Sequence, residues 1–266
     1  MNALLDHQLM EPDTIPMTDL SGMPEAFQRA YGPTEPYANE IGDFVRQDAD
    51  LMPYQGCRSI NPRSRGSCRI FAVFPDLPSR KPRTYGLESQ VEYHNLAITL
   101  VDPTVAQVYE QVGPVPFVGD AGKPATHFFD LVITEKGGRR IAVAVKPTDR
   151  LASSRFMREL NQLAKTMPTG LVDELRLVTE QSFSRSDAFN AIMYLRFSLT
   201  PDFEADGRLT DALSSVNGAM TIGDICRLCK SGGRSFKAVV RAIFEGKLKK
   251  ISKGRINLFT IVEKRS

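Results

Sequence analysis

The spacing of apolar residues predicts a helix and a β-hairpin near the middle of the chain. From Thr84 to the Asp102-Pro103 pair, apolar residues recur about once per helical turn, at Leu87, Val91, Leu96 and Leu100. Two later runs rich in valine and isoleucine, 127–134 and 140–146, flank the polar segment Glu135-Lys136-Gly137-Gly138. Such a linker between such runs is typical of a β-hairpin.

Shorter patterned segments surround these two elements. They are a strand at 70–74 inside a basic loop (61–83), an apolar run at 105–112 before a Gly/Pro-rich turn, a helix at about 151–167, a strand at 175–179 and a helix at about 185–197. The last helix is expected to close the domain. Helices and strands in this order predict a mixed α/β sandwich, and the polar segment 201–217 is interpreted as a linker.

The last part of the chain, 218–266, has the pattern of a small domain. It gives, in order, a helix that Thr221 begins with Asp224 as its capping-box partner and that ends at Cys229, a turn at 231–233, a second helix at 234–245, and two strands around Lys253-Gly254. A helix, a turn, a helix and a β-wing make up the plan of a winged-helix domain.

Charge is distributed unevenly, although the whole chain has a net charge of only +3. Residues 1–50 contain ten acidic and two basic residues, whereas 51–83 contain seven basic residues and one acidic residue. The tail at 221–266 contains twelve Lys or Arg and three acids. Two separated basic zones indicate a polyanionic partner, and the acidic, proline-rich segment 1–50 is interpreted as an extended or disordered arm.

Composition limits the class of protein. The 266 residues are 42% apolar, which is enough for a substantial core and excludes global disorder. No apolar run approaches the roughly 20 residues of a membrane-spanning helix, and the first residues carry acid where a secretory signal would carry base. Four cysteines are too few for a disulfide framework. We therefore expect a cytoplasmic protein with reduced thiols and no membrane segment.

Several short motifs occur together between about 60 and 200. They are Glu-Ser-x-x-Glu at 88–92, Asp-Pro-x-Val at 102–105, Glu-Gln at 110–111, Phe-Asp at 129–130, Val-Lys-Pro at 145–147 and LVTEQSF at 177–183. Together they resemble TnsA, the endonuclease subunit of transposases, a member of the restriction-endonuclease-like PD-(D/E)XK superfamily. The resemblance implies a restriction-endonuclease-like mixed-sheet core at 51–200, followed by the winged-helix domain.

The resemblance also implies an activity and partners. The activity is Mg²⁺-dependent cleavage or end processing of double-stranded DNA, with Mn²⁺ as an alternative ion. The partners are a DDE-type transposase and an AAA+ regulator.

The residues in these motifs suit that chemistry. A metal-dependent nuclease holds Mg²⁺ through hard oxygen ligands and orients a water molecule toward the phosphorus. The hairpin brings Asp130, in its first strand, beside Lys146 at the end of its second, and Glu92 comes from the preceding helix. The resemblance implies that Glu92 and Asp130 bind the metal and that Lys146 positions or activates the water. Glu88, one helical turn earlier, is the alternative to Glu92.

One position departs from the family's pattern. The family has Glu or Gln two residues before the lysine, and this chain has Ala144. Because residues 144 and 146 share a strand face, the missing side chain would have entered the site. The Val145 carbonyl and water molecules are the expected substitutes as metal ligands, and loss of cleavage is the competing interpretation.

The basic residues of the C-terminal domain are the candidate DNA contacts. The second helix carries Arg234, Lys237 and Arg241 on one side, and the wing region carries Lys249, Lys250, Lys253 and Arg255. The alternative is a solvated basic face on a protein-interaction domain. Two further functions stay open: a catalytically inactive DNA-binding regulator on the same fold, which Ala144 favours, and a protein-interaction adaptor, which the acidic arm favours.

Other chemically active residues give weaker signals. His127 lies three residues from Asp130, so strand alternation places the two on opposite faces. We interpret His127 as structural or DNA-facing rather than as a metal ligand. The Cys226-x-x-Cys229 pair falls inside a predicted helix, and we interpret it as two small apolar side chains rather than as half of a zinc site.

Overall fold

The structure, a computed structural model, describes residues 51–60, 68–151 and 154–265. These residues divide into two compact units, with the boundary between Phe183 and Ser184. The predicted arm at 1–50 and residues 61–67 of the basic loop lie outside the described residues. None of the described helices is long and apolar enough to cross a membrane.

The first unit begins with a segment that lies along a two-stranded sheet. Strands β1 (Ile70–Pro75) and β2 (Pro82–Leu87) pair antiparallel. Residues 51–60 precede them, and Met52 bonds to β2 on both sides of its peptide: its N–H donates to the Pro82 carbonyl at 2.8 Å, and its carbonyl accepts from the Thr84 N–H at 2.9 Å. These bonds fix residues 51–60 beside the sheet.

Helix α1 (Gln90–Leu100) begins later than the apolar spacing predicts. The expected start at Thr84 is wrong, because 84–87 belong to strand β2, where Tyr85 and Leu87 are fully buried with the two-residue period of a strand. The helical spacing of Leu87, Val91, Leu96 and Leu100 therefore runs across a strand-to-helix junction.

The main sheet is mixed, so the fold is α/β. Its strands are β3 (Val105–Val118), β4 (Pro124–Glu135), β5 (Arg140–Val145) and β6 (Glu174–Val178), in that spatial order. The first three are antiparallel, which confirms the predicted hairpin, and β6 is parallel to β5. Helices α2 (Thr148–Leu151) and α3 (Ser154–Thr166) connect β5 to β6.

Strand β3 continues through the Gly-Pro segment where a turn was expected. The strand absorbs Gly113-Pro114 as a register shift between Val112 and Val115. A Cβ on Gly113 would lie 2.6 Å from the His127 carbonyl of β4, so this close approach of two backbones requires glycine. The two residues are a bulge within a long strand and not its end.

The core of this unit lies between the sheet and α3. Leu160 and Leu163 of α3 pack in one buried cluster with Val132, Ala142 and Ala144 of the sheet. The apolar face of α3 therefore fixes the ends of β4 and β5.

A buried ion-pair network joins β2 to β3. Arg83 is 1% exposed, and its guanidinium donates to Asp76 at 3.1 Å, to the Val108 carbonyl at 3.1 Å and to Glu110. It also lies over the Tyr85 ring, 4.3 Å from the centroid. Burial raises the pKa of Glu110 to about 7, although the adjacent Arg83 charge acts against this.

The second unit contains four helices and a three-stranded sheet. The elements are α4 (Arg185–Ser198), α5 (Phe203–Ser214), β7 (Ala219–Thr221), α6 (Ile222–Cys229), α7 (Gly233–Phe244), β8 (Leu248–Lys250) and β9 (Ile261–Lys264). The strand order is β7–β9–β8, all antiparallel. The predicted capping box is confirmed, because the Thr221 hydroxyl accepts from the Asp224 N–H at 3.1 Å and donates to the Asp224 carboxylate at 2.5 Å.

The predicted linker at 201–217 is wrong, because most of it forms α5. Asp202 caps this helix by accepting from the Ala205 N–H at 3.1 Å. Ala205, Leu209 and Leu213 recur every four residues and are buried in the core of the second unit, while the polar residues between them face outward. The predicted helix at 185–197 is present as α4, but it belongs to the second unit.

Candidate functional site

Glu92 is held at the beginning of α1. Ser89 caps the helix: its hydroxyl accepts from the Glu92 N–H at 3.2 Å and donates to Glu92 Oε1 at 2.8 Å. Glu92 Oε2 accepts from the Glu88 N–H at 2.8 Å. Glu92 is 5% exposed, so the helix start presents a fixed and nearly buried carboxylate.

Asp130 lies where β4 and β5 stop pairing regularly. The last regular pair at this end of the hairpin is Leu131 with Val143. One residue further, Asp130 Oδ2 accepts from the Val145 N–H at 2.6 Å. The hairpin therefore attaches Asp130 to the end of β5, directly before Lys146.

Lys146 is placed by the neighbouring strand and helix. Its backbone N–H donates to the Val178 carbonyl of β6 at 2.9 Å. Its ammonium lies over the Phe156 ring of α3, 4.6 Å from the centroid. Burial raises the pKa of Asp130, and the positive charge of Lys146 acts against this rise, so the two side chains lie within electrostatic range of each other.

Glu92 is nearly buried and Asp130 is half-buried, and the charge of one carboxylate acts on the other. Burial raises the pKa of Asp130 to about 8, and the negative charge of Glu92 adds to the rise. The Val145 N–H, Lys146 and Arg58 act in the opposite direction. Burial also raises the pKa of Glu92. The structure thus brings Glu92, Asp130 and Lys146 into one electrostatic neighbourhood.

Glu88 has a different partner from Glu92. Its carboxylate accepts from the Arg58 guanidinium at 3.1 Å. The acid whose charge raises the pKa of Asp130 is Glu92. Of the two candidate helix acids, Glu92 is therefore the one that faces the hairpin.

Arg58 is a site residue that the sequence analysis did not single out. Its Nε donates to Gln111 Oε1 at 2.8 Å, and its guanidinium lies over the Phe128 ring, 5.3 Å from the centroid. Backbone contacts hold its segment in place, because the Tyr54 hydroxyl donates to the Arg58 carbonyl at 2.8 Å and the Cys57 N–H donates to the Gln111 carbonyl at 3.1 Å. The basic stretch at 51–83 was the one signal that pointed to it.

Gln111 is the second residue that the sequence analysis did not assign to the site. It is fully buried, and its Nε2 donates to Glu92 Oε2 at 3.3 Å. The pairs on either side of it, Glu110 with Leu131 and Val112 with Phe129, place Gln111 across from Asp130 on the next strand. Its φ of 53° is in the left-handed region, which is unusual for a residue other than glycine.

His127 lies beside the same cluster. Burial lowers its pKa to about 4, and the positive charges of Lys146 and Arg58 add to this effect. Its Nδ1 is 3.8 Å from a Glu159 carboxylate oxygen. Within the described part of the chain, its Nε2 is buried without a hydrogen-bond partner. Simple strand alternation did not locate this ring, because the bulge in β3 disturbs the ladder at this point.

Ala144 is part of the apolar core. It is 2% exposed, lies in the cluster that contains Leu160 and Leu163 of α3, and pairs with Leu177 of β6. A longer side chain at 144 would therefore start from within packed apolar surroundings.

The oxygen donors that these elements bring together are two carboxylates, Glu92 and Asp130. Mg²⁺ is commonly bound by one or two carboxylates, with water molecules completing the octahedron. Among the described residues, no three His, Cys, Asp or Glu side chains form a group that could hold a metal. Glu92 and Asp130 are the two carboxylates that the structure places beside Lys146. Cys226 and Cys229, the other predicted pair, are free thiols of α6.

Two residues of the predicted basic face of α7, Arg234 and Lys237, are exposed but have partners within the second unit. Arg234 pairs with Asp202 at 2.6 Å and with Glu204 at 2.8 Å, both at the beginning of α5. The Lys237 ammonium lies over the Phe197 ring, 5.6 Å from the centroid.

Arg241 corrects the predicted DNA contacts most clearly. It is 3% exposed and pairs with Asp206 of α5 at 2.6 Å. The prediction that Arg241 contacts DNA is wrong, because its side chain is buried and paired with Asp206 in the first turn of α5.

The loop between β8 and β9 leaves its basic residues at the surface. Lys249, Lys253 and Arg255 are exposed. Lys250 bonds within the loop, donating to the Gly254 carbonyl at 2.6 Å. Asn190 of α4 fixes the loop, because its Nδ2 donates to that same carbonyl at 3.2 Å and its Oδ1 accepts from the Ile256 N–H at 2.9 Å.

Comparison with family models found no match to this chain, and a search of curated proteins found none either.

Proposed function

We propose that the first unit is a Mg²⁺-dependent DNA endonuclease or end-processing subunit of the TnsA type, and that its mixed sheet is a restriction-endonuclease-like core. The observation that carries the proposal is the pair of carboxylates beside Lys146, with Glu92 nearly buried and Asp130 half-buried. Two like charges placed together away from water cost free energy unless a cation binds between them. Carboxylates with raised pKa values in such a place are characteristic of functional sites.

Each residue has a defined task in this proposal. Glu92, Asp130 and the Val145 carbonyl hold the ion, which supplies Lewis-acid activation of the phosphodiester and of a bound water molecule. Mn²⁺ serves as an alternative. Lys146 orients the attacking water next to Asp130. Its charge, together with that of Arg58, attracts the phosphate backbone.

The second unit is proposed to be a winged-helix domain that contacts double-stranded DNA through its wing. The wing is the loop at 251–260 with its flanking strands. Its exposed Lys249, Lys253 and Arg255, with Lys250 behind them, are the candidate phosphate contacts. The resemblance to TnsA adds a DDE-type transposase and an AAA+ regulator as proposed partners. The proposed location is the cytoplasm, as the composition of the chain indicates.

A second candidate function is a DNA-binding regulator that keeps the nuclease fold without cleavage. Ala144 favours it, because the position that supplies a polar side chain in the family is part of the apolar core here.

Plasmid cleavage in the presence of the proposed partner proteins distinguishes the two functions. The full chain should nick supercoiled DNA in Mg²⁺ or Mn²⁺, and Asp130→Ala should abolish nicking while DNA binding stays largely intact. Asp211→Ala, which removes an exposed acid of α5, is the matched control and should cleave normally. DNA binding without nicking in the complete assembly, at any concentration of either ion, would support the regulator instead.

A further inference from the structure

We infer that Gln111, held by Arg58, is a positioning residue that orients the Glu92 carboxylate for the metal ion. The inference rests on the proposed function, and it assigns a role to a residue outside the Glu, Asp and Lys set that the resemblance supplies.

Two hydrogen bonds of the Gln111 side chain link Arg58 to Glu92. Arg58 Nε donates to Gln111 Oε1 at 2.8 Å, which fixes the carboxamide and turns its NH₂ group toward α1. Gln111 Nε2 then donates to Glu92 Oε2 at 3.3 Å. Because Ser89 binds the other oxygen, Oε1, the Glu92 carboxylate is held at both of its atoms. A carboxylate fixed in this way needs little reorganisation when an ion binds.

The position of Gln111 in the sheet supports a role in the site. Asp130 has Val145 of β5 on one side, bonded through its N–H, and Gln111 of β3 on the other, across the ladder. Ala144 of β5, in contrast, packs in the apolar core and offers no polar side chain. The hydrogen-bond donor to Asp130 therefore comes from β5, and β3 supplies a donor to Glu92 through Gln111.

The backbone at Gln111 is also unusual. A left-handed φ of 53° costs free energy for a residue with a side chain, and such conformations concentrate at functional sites. The same backbone is tied to the Arg58 segment, because the Gln111 carbonyl accepts from the Cys57 N–H at 3.1 Å. Backbone and side chain of Gln111 are both bonded to the segment that carries Arg58.

A double-mutant cycle on Mn²⁺ binding tests the inference. Calorimetry or electron paramagnetic resonance gives the Mn²⁺ dissociation constant for the full chain, for Gln111→Met, for Glu92→Ala and for the double variant. Methionine has a similar volume but donates no hydrogen bond. Gln111→Met should weaken Mn²⁺ binding roughly 10-fold to 100-fold, as the loss of outer-shell partners does elsewhere. In the Glu92→Ala background the same change should have no effect, because Gln111 acts through Glu92.

Controls separate this role from a structural one. Gln107→Met, the same substitution four residues earlier in β3, should leave Mn²⁺ affinity unchanged. Asparagine tolerates the left-handed backbone but is one methylene shorter than glutamine. The Gln111→Asn variant should therefore fold well and bind Mn²⁺ more weakly than the unaltered chain. Circular dichroism confirms folding of each variant.

The outcomes also separate the inference from the proposed function. Unchanged affinity in Gln111→Met and Gln111→Asn, or equal losses with and without Glu92, would overturn the positioning role and leave the nuclease proposal standing. If the unaltered chain binds no Mn²⁺ at all, the metal site itself fails and the inference fails with it.

Discussion

The surroundings of Asp130 disfavour its ionised form. Its carboxylate has one backbone N–H donor and a nearby lysine, but burial and Glu92 outweigh them and raise its pKa to about 8. At neutral pH the folded protein therefore holds a proton on this group or tolerates an unfavourable charge. The raised pKa predicts that Asp130 lowers the stability of the folded protein at neutral pH and above.

Asp130→Asn should stabilise the protein at high pH. Between the ordinary aspartate pKa of about 4 and the raised value of about 8, the folded state binds more protons than the unfolded state. The free energy of unfolding therefore falls as pH rises through this window. Asparagine stays neutral and can still accept from the Val145 N–H. Urea unfolding should show the variant about 1–3 kcal/mol more stable at pH 8, with the difference shrinking toward pH 5.

Metal ions provide the control for this prediction. Mn²⁺ at about 100 times its dissociation constant should stabilise the unaltered chain by about 2.7 kcal/mol, and it should stabilise Asp130→Asn far less. A variant that is less stable than the unaltered chain at pH 8, with or without Mn²⁺, would contradict the raised pKa of Asp130.

The resemblance to TnsA supplied Glu92, Asp130 and Lys146, and the placement of all three depends on local elements. Glu92 lies three residues after the helix cap Ser89, and Asp130 and Lys146 lie in and directly after one hairpin. Arg58 and Gln111 were missed because their bond joins residues 53 positions apart, and no local pattern encodes that contact. The location of His127 depended on a bulge opposite it, which periodicity does not show.

At the scale of elements, the acidic beginning of α5 binds two basic residues of α7, Arg234 and Arg241. Arg241 is buried in this pairing, whereas Arg234 stays exposed. The exposed basic residues of the loop between β8 and β9 are the proposed DNA contacts.

Replacing Lys249, Lys253 and Arg255 by alanine should weaken DNA binding and reduce its dependence on salt. Each lost phosphate contact lowers the slope of log K against log salt by about 0.9. Fluorescence anisotropy with a labelled duplex at several salt concentrations measures this slope.

Arg208→Ala with Arg227→Ala is the matched control for the wing variant. These two arginines are exposed and already pair with Glu204 and Asp224 of their own helices. The control should retain the original slope. A loss of slope in the control, or an unchanged slope in the wing variant, would place the DNA contact elsewhere.

The elements themselves were predicted unevenly, and the reason is physical. The hairpin, α6 and α7 combine strong periodicity with turn or capping residues, so neighbouring residues alone determine them. Helix α5 looked like a linker because only Ala205, Leu209 and Leu213 mark its apolar face, and polar residues fill the rest. Strand β2 was taken for the start of α1 because its burial depends on β1 and on residues 51–60, which lie against it.

At the scale of the whole molecule, the division after Phe183 determines what can fold alone. The core of the second unit includes Ala205 and Leu209 of α5, and the partly buried Phe197 of α4 packs against it. A fragment that begins at 218 lacks both helices and leaves the apolar faces of α6 and α7 exposed.

The fragment 184–266 should fold independently, and 218–266 should not. Far-ultraviolet circular dichroism of 184–266 should show high helix content with one cooperative thermal transition. The shorter fragment should lack that transition. If 218–266 folds cooperatively, α4 and α5 are dispensable to the unit, and the boundary originally expected from the sequence is the better one.

Strand β3 carries two consecutive polar side chains, Glu110 and Gln111, that bind different partners. Glu110 binds the buried Arg83, and Gln111 binds Arg58 and Glu92. A one-residue deletion earlier in this strand would set the Gln111 amide against Arg83 and put Val112 in the place of Gln111. A one-residue insertion would set the Glu110 carboxylate against Glu92 and put Tyr109 beside Arg83. Changes in chain length are therefore tolerated in the connections before Val105 and after Val118, where they leave this pair in register, and are excluded between Val105 and Gln111.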